Sequence, residues 1–195
     1  MSDPDTDLML RVKSGEAGAF EHLVARFLRP LVAFFHRLGA DVSTAEDCAQ
    51  EVFVKLFRTR GTYEPKARFT TFLFAVARHH WIDVVRHRSA GPSTVSADAP
   101  SDGGSSEGTL GDRLEAGSPP PAHRAEDSEL LAAMQRAIDH LSPDHREVFS
   151  LAQVEGLRYE EIARILGVPV GTVKSRMHAA VGLLRERLRR EGFEP

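Results

Sequence analysis

Between Ser89 and Ser128 the chain offers almost nothing to bury. The segment has no aromatic residue, and its branched apolar side chains are Val95, Leu110 and Leu114, set among Gly103-Gly104-Ser105-Ser106 and Pro119-Pro120-Pro121. Ordering a backbone costs about 1–2 kcal/mol per residue, and a stretch this poor in apolar surface cannot offset that by burial. Residues 89–128 therefore read as a flexible linker rich in Gly, Ser and Pro, since a structureless loop of this length is uncommon inside a compact domain. The fold must then be two small modules, over residues 7–88 and 129–191. A chain of 195 residues that is 42% hydrophobic and 27% charged can supply both cores and a solvated surface.

Both flanks follow a helical period. Phe20, Leu23, Val24, Phe27, Leu31, Phe34, Phe35 and Leu38 recur at i, i+3, i+4 and i+7 up to Gly39, with Pro30 as an expected kink. Ser43 with Glu46 has the spacing of a capping box, and Cys48, Ala49, Val52, Phe53, Leu56 and Phe57 form the next stripe. Residues 71–88 are apolar nearly all round, which predicts a helix covered on two sides or offering one to a partner. Beyond the linker, Leu130 to Leu141 is one helix, and Ser142-Pro143 caps another. A short helix over 159–166 stops at Gly167, and Val173, Met177, Ala180, Leu184 and Leu188 stripe the last. Short helix, glycine-led turn and longer helix spell a helix-turn-helix. The fold class is all-α in two small helical domains.

The net charge of −3 hides a division. Residues 1–90 carry 13 Lys and Arg against 11 Asp and Glu, residues 129–195 carry 10 against 10, and residues 91–128 carry 2 against 7. The acidity belongs to the linker, so an anionic partner must be held by local basic patches on the flanks. Other chemistries drop out. The apolar runs Phe72 to Ala77 and Leu31 to Phe35 fall far short of a bilayer span, and the acidic opening is unlike a signal peptide, which predicts a cytoplasmic chain. One cysteine, Cys48, permits neither an internal disulfide nor a thiolate zinc site. No phosphate loop, nucleophile elbow or His-Glu-x-x-His is present, and the adjacent His79 and His80 point off different sides of a helix. Neither cofactor nor catalytic residue is expected, and the chain is not expected to be an enzyme.

Three surfaces remain. On the last helix, the side opposite Val173 carries Gly171, Ser175, His178 and Gly182, with Lys174 and Arg185 beside them. Small residues allow close approach to a groove, and Ser, His, Lys and Arg can reach bases or phosphates. Together with the tight turn before it, this face predicts duplex DNA binding. The run Arg185, Arg187, Arg189, Arg190 by itself reads as a solvated helix end, because Glu186 and Glu191 interrupt it. From Arg68 to Arg88, cations and rings alternate as a single-stranded site requires. Arg68, Phe69, Thr70, Thr71, Arg78, His79 and Arg86 are the candidate contacts, with Phe72, Phe74 and Trp81 equally suited to a core. On the helix after Ser43, Asp47, Gln50, Glu51 and Lys55 face away from the apolar stripe, either as a solvated surface or as a protein-docking face. These residues are also compatible with a free-standing helix-turn-helix regulator, or with a helical adaptor that never touches DNA.

The residues 45–57, Ala-Glu-Asp-Cys-Ala-Gln-Glu-Val-Phe-Val-Lys-Leu-Phe, and 69–83, Phe-Thr-Thr-Phe-Leu-Phe-Ala-Val-Ala-Arg-His-His-Trp-Ile-Asp, resemble bacterial sigma factors. So do Leu157-Arg-Tyr-Glu-Glu-Ile-Ala and Gly171-Thr-Val-Lys-Ser-Arg-Met in the second flank. Two domains alone make the chain similar to the extracytoplasmic-function (ECF) group of the sigma-70 family. The resemblance implies that residues 7–88 act as region 2, with Asp47, Gln50, Glu51 and Lys55 on the clamp of the polymerase's largest subunit. It implies that Arg68 to Thr71, with Arg78, His79 and Arg86, hold the opened minus-ten element. It implies that residues 129–191 act as region 4, which contacts the polymerase flap and reads the minus-thirty-five element through Thr172, Lys174, Ser175, Arg176, His178 and Arg185. The partners so implied are core RNA polymerase, promoter DNA and an anti-sigma factor. Arg158 departs from the family's usual Ser or Thr at a helix N-cap.

Overall fold

The computed structural model describes residues 3–89, 121–154 and 156–193, and every α-helix or turn of 3-10 helix among them fits the all-α expectation. The first module holds α1 (Pro4–Lys13), α2 (Ala17–Arg37), α3 (Val42–Arg58) and α4 (Phe69–Ser89), with one turn of 3-10 helix at Arg60–Thr62. The second holds α5 (Pro121–Asp139), α6 (Pro143–Ala152), α7 (Tyr159–Leu166) and α8 (Val170–Arg190).

Two boundaries differ from the sequence reading. Most of the expected linker lies outside the described residues, but its end at 128 is corrected: α5 begins at Pro121. Proline at a first helical position gives up no needed N–H and presets φ. The residues after it contain no glycine and many helix formers, and only their lack of apolar surface made them read as linker. At the other end, α1 starts at Pro4, ahead of the expected boundary at 7. Pro4 sits in its first turn with Asp5 and Asp7, and Arg11 and Lys13 close it, so the charges complement the helix dipole.

The N-cap of α3 is Asp41, not Ser43. Asp41 has extended backbone (φ −66°, ψ 167°), and its carboxylate accepts the Thr44 N–H at 2.8 Å and the Thr44 hydroxyl at 2.9 Å. Ser43 lies inside the helix, where its backbone cannot adopt the cap conformation. These two hydrogen bonds hold the Asp41 carboxyl below its usual range. Their contribution is therefore present above the ordinary carboxylate pKa and is lost as pH falls through the depressed value. We expect Asp41→Ala to lower the melting temperature at neutral pH, and the gap from wild type to close in strong acid. Parallel thermal melts across pH check this, and a gap that persists in acid would contradict it.

The core follows the predicted stripes. Leu23, Leu31, Phe34 and Phe35 of α2, Val52 and Leu56 of α3, and Leu73, Phe74 and Ala77 of α4 are buried. The rings of Phe34 and Phe74 meet edge to face with centroids 5.3 Å apart. In α8 the stripe is Val173, Ala180, Leu184 and Leu188, with Met177 only half-buried. Gly167 ends α7 in the left-handed region at φ +69° and ψ 32°, a conformation open to glycine without the steric penalty a Cβ brings.

One buried cluster spans both modules, and a second, of Ala137, Ile138, Leu141, Phe149, Ala180 and Leu184, lies within the second module. α4 lies on α7, and α2 touches α5 and α6. The buried cluster runs from Met9 through Ala77 and on to Val148, Leu151, Val154, Ile162 and Val173. Arg146 of α6 fixes one edge: its guanidinium donates to the carbonyls of Leu38 (3.4 Å), Asp139 (2.5 Å) and Leu141 (3.1 Å), at the C-terminal ends of α2 and α5. Such ends carry partial negative charge. Gly39, at φ +100°, leaves the room, since a Cβ there would sit 3.0 Å from Arg146 Nη1.

Candidate nucleic-acid interface

The helix-turn-helix presents α8 as an open face. Lys174, Ser175, His178 and Arg185 are exposed, and Thr172 is half-buried at the start of the helix, where its carbonyl accepts the Ser175 hydroxyl at 3.0 Å. Gly171 and Gly182 on that side have open space around them. Arg176 stands apart from this group. Its guanidinium is bound to Asp144 of α6, and its side chain is only 25% exposed, so it braces the helix pair as well as bordering the face. Near the end of α8, Arg187 pairs with Glu191, and Arg189 and Arg190 with Glu186, while Arg136 of α5 also reaches Glu191. The loss of a Ser or Thr cap at Arg158 is met from the other direction. The Glu161 carboxylate reaches back and accepts the Arg158 N–H at 3.0 Å.

The single-strand candidates divide more sharply. His79 and Arg86 are exposed on α4, with Arg86 paired to Asp83 at 3.0 Å. Phe69 is in the core, fully buried, its ring 5.4 Å from that of Phe27 and 6.4 Å from that of Tyr63. Its N–H, at the start of α4, donates to Asp3 Oδ2 at 3.0 Å, so a residue before α1 caps α4. Phe69 as a base-stacking residue is thus corrected. Aromatic spacing on a helix has the same period whether the ring faces in or out. Thr70 and Thr71 are also buried, at 4% and 5% exposure. Thr71 Oγ1 donates to Glu161 Oε1 of α7 at 2.9 Å, Arg68 Nη1 to the Gly156 carbonyl at 2.6 Å, and Arg78 Nε to Glu147 Oε1 of α6 at 2.9 Å. All three candidates are engaged by the second module.

The third surface stands clear. Asp47, Gln50, Glu51 and Lys55 are exposed along one side of α3. Sequence reasoning missed Val54 (39% exposed) and the outward lean of Phe57 (41%), which put apolar surface between the charges. The signal was there: Val54 lies four residues after Gln50 and three after Glu51. Phe57 still touches its neighbours, with Phe20 at 5.0 Å and the Arg60 guanidinium 4.1 Å over its ring. Burial pushes the Cys48 thiol upward, away from thiolate chemistry. No cluster of metal-ligating side chains occurs among the described residues, and no helix among them is long and apolar enough to cross a membrane.

These two modules have counterparts. The family model for sigma-70 region 2 matches residues 23–91, and that for sigma-70 region 4 matches residues 131–184. The chain is 33% identical over 196 residues to the ECF RNA polymerase sigma factor SigE of Mycolicibacterium smegmatis, covering 99% of this chain and 72% of that one. It belongs to the ECF sigma factors. The ECF RNA polymerase sigma-E factor of Escherichia coli is 31% identical over 185 residues, covering 92% and 93% of the two chains. Two solved structures share the fold: CnrH in complex with the cytosolic domain of CnrY, at a TM-score of 0.66, 23% identity and coverage of 96% and 99%, and the sigma factor RpoE of Bartonella quintana in complex with the anti-sigma factor NepR, at 0.62, 24%, and 87% and 96%. The chain is a sigma factor, a promoter-specificity subunit that directs transcription initiation by RNA polymerase. Helix α1 lies ahead of the region 2 match.

Proposed function

We propose that this sigma factor docks on the clamp of core RNA polymerase through the α3 face, holds the opened minus-ten strand on α4 and reads the minus-thirty-five duplex with α8. The observation that supports this division most is the open α8 face of Lys174, Ser175, His178 and Arg185 behind a glycine-led turn, on the same chain as a region 2 module. Each site alone is small. Joining them on one polymerase raises the local concentration of each for the other, so two modest contacts select one promoter. The polymerase performs the chemistry, and the sigma factor supplies binding and orientation in the cytoplasm. An anti-sigma factor is a further partner, as it is for the Bartonella quintana RpoE structure. Residues 7–88 and 129–191 are the functional units on this reading.

Run-off transcription with core polymerase on a panel of promoters tests it: added initiation at a subset is expected, and no core binding with no added initiation would reject it. A finer expectation concerns α3. Reversing both acids, Asp47→Lys with Glu51→Lys, places like charge against whatever basic surface they meet, at a cost of several kcal/mol. Core affinity should fall by about a hundredfold or more, while the isolated chain melts as wild type does. Unchanged affinity in a competition assay would move the docking face elsewhere.

A further inference from the structure

Helix α1 packs on the connection between α3 and α4 and is tied to both ends of its second half. In the last turn of α1, Lys13 Nζ donates to the Tyr63 carbonyl at 2.8 Å. Just ahead of its first turn, Asp3 Oδ2 accepts the Phe69 N–H at 3.0 Å, and Asp3 Oδ1 lies 4.0 Å from Arg68 Nη2. The helix is itself anchored: the Asp5 carboxylate, buried, pairs with Arg26 of α2 at 2.9 Å, and Met9 and Val12 lie in the core. Asp3 stands at the N-cap of α1 with extended backbone (φ −76°, ψ 120°), where an aspartate ordinarily accepts an N–H of its own helix. It makes no such cap. Within α1 it accepts the Thr6 hydroxyl at 2.9 Å, which orients the carboxylate, and the N–H it accepts belongs to α4. The residue before α4 could not do this, because Arg68 has five donors and no acceptor.

We infer that Asp3 is a positioning residue for the opened strand: it fixes the first turn of α4, and with it Arg68 to Thr71, while Lys13 fixes the connection at Tyr63. The inference rests on the proposed function, which assigns α4 to that strand. Both tethers lie inside the first module, on a helix ahead of the residues 23–91 that match region 2. Phe69 is fully buried, so without Asp3 its N–H has no ready replacement partner and the first turn of α4 loosens. Strand capture then includes the cost of reordering that turn, a cost that a preset turn avoids. Docking through α3 and duplex reading through α8 do not involve it.

The test uses holoenzyme at a promoter that the run-off panel selects, with permanganate reactivity of unpaired thymines reporting strand opening. Asp3→Ala removes the acceptor, and Asp3→Asn keeps a carbonyl oxygen in its place. The expected result for Asp3→Ala is a shift of about fivefold toward the closed complex, the equivalent of the ~1 kcal/mol carried by one helix cap. Asp3→Asn should restore most of the opening. Affinities for core polymerase and for the duplex minus-thirty-five element should stay at wild-type values. Val12→Ala thins the packing of the same helix and keeps both tethers, so well below its melting temperature it should open the promoter as wild type does. An Asp3→Ala holoenzyme that opens normally would overturn the inference, and so would an equal loss in Asp3→Asn or in Val12→Ala. His79→Ala with Arg86→Ala checks the underlying assignment. If that pair leaves opening unchanged, α4 does not hold the strand and the inference falls with the assignment. If the pair lowers opening while Asp3→Ala does not, the assignment stands and the positioning role alone is rejected.

Discussion

Replacing Lys174 with glutamate is expected to lower holoenzyme affinity for duplex promoter DNA by about tenfold to a hundredfold, corresponding to the ~1–3 kcal/mol carried by one good groove contact. The residue is exposed in the first turns of α8, on the side with Ser175 and His178, and it forms no part of the core. Its substitution therefore changes charge and little else. A glutamate there faces phosphates with like charge, and the salt dependence of binding should flatten by about one unit of slope. Binding to core polymerase should be unaffected, because α3 is untouched. Anisotropy titrations at several salt concentrations measure all three quantities, and an unchanged duplex affinity would remove Lys174 from the interface. Arg176→Ala is a less clean probe. Its guanidinium holds Asp144, so lost binding would come together with a loosened contact between α6 and α8.

Phe74→Ala should produce the largest loss of stability, about 3–5 kcal/mol. Phe74 is fully buried and its ring meets that of Phe34. A cavity at that point opens within a cluster that continues into the second module, so the surroundings have little freedom to collapse. Against a typical total of about 5–15 kcal/mol, such a loss leaves a marginal fold, and the melting temperature should drop by about 10 °C or more. Phe57→Ala, at a half-exposed ring on α3, should shift the melt far less. Thermal unfolding followed by circular dichroism compares them, and equal shifts would contradict the burial pattern.

Much of this architecture was legible in the sequence because helical stripes are local. The period of Leu23, Leu31, Phe34 and Phe35, the Ser142-Pro143 cap and the left-handed Gly167 each depend on neighbours within a turn or two. What a local reading could not show depended on distant parts of the chain. Phe69 and Thr71 have the composition of a strand-binding surface, yet Phe27, Tyr63 and Glu161 cover them, and no window along the chain contains those partners. The same holds for Asp3, which caps a helix 66 residues away. The α3 cap was missed for a different reason: Asp41 and Ser43 are both good capping residues, and the backbone angle that decides between them is not written in residue type. The α8 face was read from spacing, and its exposed members lie where the spacing puts them. Arg176, named through the resemblance and not through spacing, is bound to a carboxylate 32 residues earlier.

The α3 surface lies open, while α4 packs against α7, pairs Arg78 with Glu147 of α6, and leaves His79 and Arg86 exposed. On the proposed division, the face assigned to the polymerase is free in this arrangement and the helix assigned to the opened strand is packed against the second module.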